Sequence, residues 1–519
     1  MPRKRVDPSD IPAPTPISLP RYQPFAREDV PVDPREALTT LLKDNGRSTA
    51  SLGPLGFAAL GLDLKVDVDA TQLIPDPAYV PDFVRWEQLG EGASQGGQPD
   101  SQTSIGDSGS PGSQIYLERR KELSNNNEDA FRTIRRISPQ PGQQQARLGN
   151  AYEFFRCLET FTAYWEDPTQ PPPLPPSPEL YADDPTPAET QAPTADAKKQ
   201  DDLFQIIRIS AGDTMPAEFR HKLIAAFIKM VSYDFGCTVG QSQVEPRLQM
   251  SSPQGHFPIR KSYLASHCQF IFQSPRTREA ARMGTVVGPV ASVSCRTTVN
   301  FSTPNIEDPQ SLDLAREIVA ALVTAQQRNR EGKEETRFGA GQWWTTKKRW
   351  GGGPGGPIGR EVDKDDIAGD KDIRPADQEI PPPSGPVPKR PRRNMAMYDN
   401  YRMIRPPRST WDRKTKFTAI GKQKCTNYDD IFLVSSLFHH VSFMRVRVPQ
   451  RLLEVLDGSP EPDATWRSWG KLEAWRTPWY DLFDAKQRVE GMRMMWVIMA
   501  YQMRSDTGQD VAMGGVANS

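Results

Sequence analysis

Three stretches of this chain have compositions that oppose folding, and their placement decides what the remainder can become. Glu166 to Gln200 carries ten prolines, including Pro171-Pro172-Pro173-Leu174-Pro175-Pro176, and continues as acidic, Ala/Thr-rich sequence. Such a stretch favours polyproline II and buries too little apolar surface to offset the entropy of ordering. Gly90 to Gln114 holds seven glycines and six serines, a linker composition. Residues 351–394 open as GGGPGGPIG, become charged, and end in a proline-rich basic run. Folded structure is therefore expected in the blocks between them.

Those blocks are large enough for a core. The 519 residues include 11 Trp, 13 Tyr and 21 Phe, far more aromatic surface than a wholly disordered chain carries. The reading along the chain is a basic tail at 1–20, a helical segment at 21–89, the linker 90–114 and a helical segment at 115–165. The Pro-rich acidic insert 166–200 follows, then an α+β segment at 201–350, the basic linker 351–394, a second α+β segment at 395–504 that packs with 201–350, and a tail at 505–519. The longest strongly apolar run, Met494 to Tyr501, is far short of the roughly 20 residues a membrane-spanning helix needs.

Lys+Arg and Asp+Glu balance at 65 each, so net charge selects no partner. Local charge is uneven. Residues 166–202 hold nine acids and two lysines, whereas 389–424 hold twelve Lys/Arg against Asp399 and Asp412. The basic N-terminus lacks the apolar stretch of a secretory signal, and the five cysteines are widely spaced with no C-x-x-C pair. Reduced thiols in a cytoplasmic or nuclear protein are the expectation.

Periodicity predicts several elements. Asp33-Pro34-Arg35-Glu36 forms a capping-box start, and Tyr152, Phe155, Leu158 and Phe161 lie at helical spacing. Met215-Pro216 opens a helix with Phe219, Leu223, Ala226, Phe227, Met230 and Val231 on one face. His267 to Gln273 and Val286 to Phe301 read as strands, and Asp308-Pro309 starts a helix reaching about Arg330. An apolar run from Ile431 to Val448, a short helix at 449–456 and a Met-rich helix at 481–504 complete the pattern. Trp466, Trp469, Trp475 and Trp479 are expected to pack over that last helix. The fold class is α+β: a helix-rich core with a small antiparallel sheet, interrupted by long Pro/Gly-rich disordered inserts.

Two tempting motifs fail on context. Gly106-Asp107-Ser108-Gly109 resembles the nucleophile turn of trypsin-like proteases, but no histidine precedes it and its setting is a Gly/Ser linker. Gly351 to Gly356 formally fits G-x-G-x-x-G, yet proline and further glycines stand where the phosphate-binding helix must begin. Adjacent His439 and His440 would face opposite sides of a strand and could not share an ion. No catalytic residue, metal ligand or cofactor is assigned from the sequence.

Two surfaces remain as candidates. Lys389, Arg390, Arg392 and Arg393 form a compact cationic run suited to an import receptor or to phosphate contact. Trp343, Trp344, Lys347, Lys348 and Trp350 interleave aromatic and cationic groups. The leading expectation is a non-enzymatic intracellular interaction or regulatory protein able to enter the nucleus, with an unidentified protein partner and no membrane. The alternatives are a nucleic-acid-associated protein using 389–424, a self-assembling coat-like subunit, or an enzyme whose site is assembled from distant residues.

Overall fold

A computed structural model describes residues 7–11, 17, 19–20, 22, 52, 54–93, 111–164, 215–240, 246–251, 261–273, 285–296, 307–331, 416–423, 425–460 and 467–504. Within them the chain forms β1 (Leu62–Lys65), β2 (Cys237–Gly240), β3 (Arg247–Ser251), β4 (Lys261–Ala265), β5 (Gln269–Gln273) and β6 (Thr285–Cys295). β7 (Lys416–Thr418), β8 (Tyr428–Leu437), β9 (His440–Pro449), β10 (Leu472–Arg476) and β11 (Tyr480–Asp481) follow. The helices are α1 (Pro54–Leu60), the single turn α2 (Ala70–Leu73), α3 (Phe83–Ala93), α4 (Ser113–Leu123) and α5 (Asn127–Arg135). They continue as α6 (Tyr152–Phe161), α7 (Ala217–Ser232), α8 (Glu307–Arg328), α9 (Gln450–Leu456) and α10 (Ala485–Gln502).

The α+β class stands, but the small antiparallel sheet does not. One mixed sheet of nine strands runs β1-β10-β9-β8-β6-β5-β2, with β11 beside β9 and β7 beside β6. β3 and β4 form a separate two-stranded hairpin. Parallel pairing makes the difference. β6 lies parallel to both β7 and β8, and β1 lies parallel to β10 with Leu62 opposite Leu472. Parallel neighbours need long crossovers, so they join segments that no local turn signal connects. Among the described residues, α8 is the helix that follows β6 on the way to β7 and β8.

Strand alternation then builds two cores, one on each face of the sheet. Along β8, Ile431 and Leu433 enter one apolar cluster while Phe432 and Val434 enter the other. Met444, Val446 and Val448 of β9 join the first, Val441 and Phe443 the second. α8, α9 and the β3–β4 hairpin cover the first face, and α6, α7 and α10 cover the second. With both faces covered, β8 is buried from Asp429 to Leu437, which explains why its sequence reads as a continuous apolar run.

The helices expected after Met215-Pro216, from Asp308-Pro309 to about Arg330, at 449–456 and at 481–504 are present as Ala217–Ser232, Glu307–Arg328, Gln450–Leu456 and Ala485–Gln502. Asp484 caps α10 by accepting from the Lys486 and Gln487 amides. That helix is buried on nearly every side from Met492 to Gln502, with Trp496 set edge-on against Tyr116 and Phe235. The tryptophans do not gather over it. Trp475 lies on its face of the sheet, whereas Trp469 belongs to the opposite core and donates from Nε1 to the Leu60 carbonyl at 3.0 Å. The 33–45 helix and Trp466 lie outside the described residues. Among the described residues no helix is long and apolar enough to cross a membrane.

β6 and β8 come from either side of the 351–394 segment, so one sheet should survive a cut within it. A specific protease site placed between Gly355 and Gly356 should yield two fragments that co-elute by size exclusion and separate only in denaturant. Separation without denaturant would contradict the β6–β8 pairing.

Candidate functional site

Among the described residues, two buried clusters of ionisable side chains are the candidates for a site. The larger sits between α8 and the sheet. Glu317, fully buried on α8, receives Arg296 from the end of β6, Arg476 from the end of β10, and the Ser435 hydroxyl from β8. One turn earlier on the same helix, Asp313 pairs with Arg296 and accepts from the Tyr22 hydroxyl at 2.5 Å. The Arg476 guanidinium stacks 4.3 Å from the Tyr22 ring centroid and 4.8 Å from that of Trp479. The pleat explains the convergence. Ser435 follows Ile431 and Leu433 on their face, and Arg476 follows Leu472 and Ala474 on theirs, so both reach α8.

Electrostatics divide the two carboxyls. Burial alone would raise Glu317, but Arg296 and Arg476 outweigh it and hold the group below its ordinary value. At Asp313 burial dominates despite Arg296, and the carboxyl is pushed up to about 6. Two cations face two acids, and all four side chains are almost wholly buried. This closed arrangement fastens elements together and presents no face to a ligand.

The second cluster forms at the turn between β8 and β9. Phe438 takes φ 52°, a left-handed conformation that reverses the chain within two residues. His439 therefore lies in the turn, and His440 is the first residue of β9. Opposite-face alternation does not apply to such a pair, and the two imidazoles tilt against each other with centroids 4.2 Å apart. β11 pairs with β9 so that Asp481 faces His440, and His439 Nδ1 meets Asp481 Oδ1 at 2.8 Å. The Phe483 amide donates to the same oxygen at 2.8 Å. Phe438 and Phe483 set their rings edge-on to His439, with centroids 5.1 Å away.

One ligand atom from each of His439, His440 and Asp481 lies within 4.8 Å of the others. His439 Nε2 and His440 Nδ1 are buried without a hydrogen-bond partner. Burial, then the neighbouring His439, pushes His440 down to about 3, so its ring is neutral. Asp481 is held below its ordinary value: burial opposes this, and the hydrogen bond and charge of His439 prevail.

Lys389, Arg390, Arg392, Arg393, Trp343, Trp344, Lys347, Lys348 and Trp350 all lie outside the described residues. Neither cluster in the core contains a residue assigned to a site from sequence, where strand alternation speaks against His439 and His440 as ligands of one ion. One signal was available for the turn: the run from Ile431 to Val448 is too long for a single strand of ordinary length and must bend inside. Nothing local pointed to Asp481 as its companion.

The carboxyls of the larger cluster predict opposite pH responses. Glu317 contributes stability above pH 4.5 that is lost as pH falls through its lower folded value. Asp313 contributes most when protonated, and that contribution fades as pH rises from 3.8 to about 6. Urea unfolding across pH 3–7 should show Asp313→Asn flattening the upper window and Glu317→Gln flattening the lower one. At neutral pH, Glu317→Gln should also cost about 3–5 kcal/mol, because two buried guanidinium groups lose their shared anion. Comparison of the chain with protein families, with curated proteins and with solved structures finds no match.

Proposed function

We propose that the protein is a non-enzymatic interaction protein, in which a folded core holds out long peptide-bearing segments for partners to read. The supporting observation is that the described residues on either side of each such segment lie close together. Tyr164, before the Pro-rich segment, lies 5.8 Å ring to ring from Phe219, just after it. Trp86 and Tyr116, which flank the Gly/Ser segment, are 5.5 Å apart. At the C-terminal end of α8, Arg328 donates to the Pro289 and Val290 carbonyls of β6 at 2.7 and 2.6 Å. β7 then resumes beside Val287 of the same strand.

Each long segment thus begins and ends at neighbouring points of the core. Loop-closure cost grows only as the logarithm of length, about 0.6 kcal/mol per doubling, so such segments can be long without unfolding what carries them. Their sequences suit recognition. Pro172 to Pro175 has the P-x-x-P form that SH3- and WW-type grooves read, because polyproline II loses little entropy on docking. Lys389, Arg390, Arg392 and Arg393 supply an import address in this reading.

Replacing residues 166–200 with a short Gly/Ser linker should leave the midpoint of thermal unfolding within a few degrees of the parent. The same change, or alanine in place of Pro171, Pro172, Pro173, Pro175 and Pro176 together, should sharply reduce capture on an array of SH3 and WW domains. Equal capture by parent and variants, or by neither, would remove the reading. In a fluorescent fusion, Arg392→Ala with Arg393→Ala should shift the protein from nucleus to cytoplasm.

A further inference from the structure

We propose that the turn between β8 and β9 is a binding site for a transition-metal ion, with zinc as the ion its chemistry fits best, held by His439, His440 and Asp481. The ligand set carries the choice of ion. Two imidazoles and one carboxylate suit Zn²⁺ and its first-row neighbours, whereas Ca²⁺ and Mg²⁺ take oxygen ligands. Three protein ligands leave a fourth position for water or for a donor from a bound molecule. The Asp481 side chain is 24% exposed and His439 only 2%, so the open side faces solvent past Asp481.

Unmet hydrogen-bonding capacity supports the assignment. A buried ring nitrogen without a partner costs about 1–3 kcal/mol, and His440 Nδ1 is one, on a ring whose centroid lies 4.2 Å from that of His439. An ion between the rings would take His440 Nδ1 and, in place of the proton shared with Asp481, His439 Nδ1, and Asp481 would supply the negative charge. The site is also built to hold shape. Asp481 is fixed by β11 pairing and by the Phe483 amide, and His439 is walled by the Phe438 and Phe483 rings.

The atoms stand close to coordinating positions. Ligands at about 2.1 Å around a tetrahedral ion lie roughly 3.4 Å apart. His439 Nδ1 and Asp481 Oδ1 are already 2.8 Å apart, and the three-way spread of up to 4.8 Å closes with rotation of the less buried His440 ring.

The test uses the full chain, stripped with a chelator and titrated with ZnCl2 by calorimetry. One equivalent should bind with micromolar or tighter Kd, and Ca²⁺ should not compete. His440→Ala and Asp481→Asn should each weaken binding at least ~10-fold while keeping the parent circular dichroism. Absence of saturable binding, equal competition by Ca²⁺, or unchanged affinity in folded variants would overturn the proposal. Co²⁺ absorption of the unmutated chain decides the matter if a variant does not fold. Visible ligand-field bands of a four- or five-coordinate ion without thiolate charge transfer support the site. A thiolate band would place the metal on cysteine and overturn it.

Discussion

Glu317 is the point at which the separately encoded parts of this sheet are made to agree. Its carboxylate collects Arg296, Ser435 and Arg476 from three strands, and Asp313 on the next turn back adds Tyr22 from the start of the chain. Charges buried this deeply are tolerated only when paired, since stranding one costs several kcal/mol. A slip of β10 by a single residue would turn Arg476 to the other face and leave its charge in an apolar core. Hydrophobic burial therefore drives assembly, and this cluster specifies which register the strands adopt.

The far end of the same helix is fixed by a different device. Arg328, fully buried, donates to the Pro289 and Val290 carbonyls, to Asp429 and to Gln502. It stands three turns from Glu317, about 16 Å along the axis, so α8 is held against the sheet at its middle and at its C-terminal end. The Asp429 and Gln502 contacts also join β8 to the end of α10, which ties the two faces of the sheet through one side chain. The C-terminal half of the helix cannot rock on the sheet without breaking an ionic contact at Glu317 or at Arg328.

The sequence was most informative where structure is local. The helices at 217–232, 307–328 and 485–502 announce themselves by helical spacing and, in the first two, by proline near the start. The sheet was underestimated because its extent is decided by partners: β1 looks like four unremarkable residues until Leu472 to Trp475 lie beside it. The same limit hid both ionisable clusters. Glu317 on an apolar helix face, Arg296 and Arg476 read separately as ordinary charged residues, and only the fold makes them one group. At His439 and His440 the alternation rule failed for a specific reason, the left-handed Phe438, which places a reversal where a continuous strand was assumed.

The pairing of β1 with β10 has a consequence for how the protein is made. Synthesis proceeds at about 5–20 residues per second, and about 400 residues separate the two strands, so β1 leaves the ribosome roughly 20–80 s before its partner exists. Tyr22 waits as long for Arg476, although its partners Asp313 and Arg296 are made well before then. β1 therefore stays without its partner strand while the segment between them is made, and the sheet closes on that side only once β10 has followed β9.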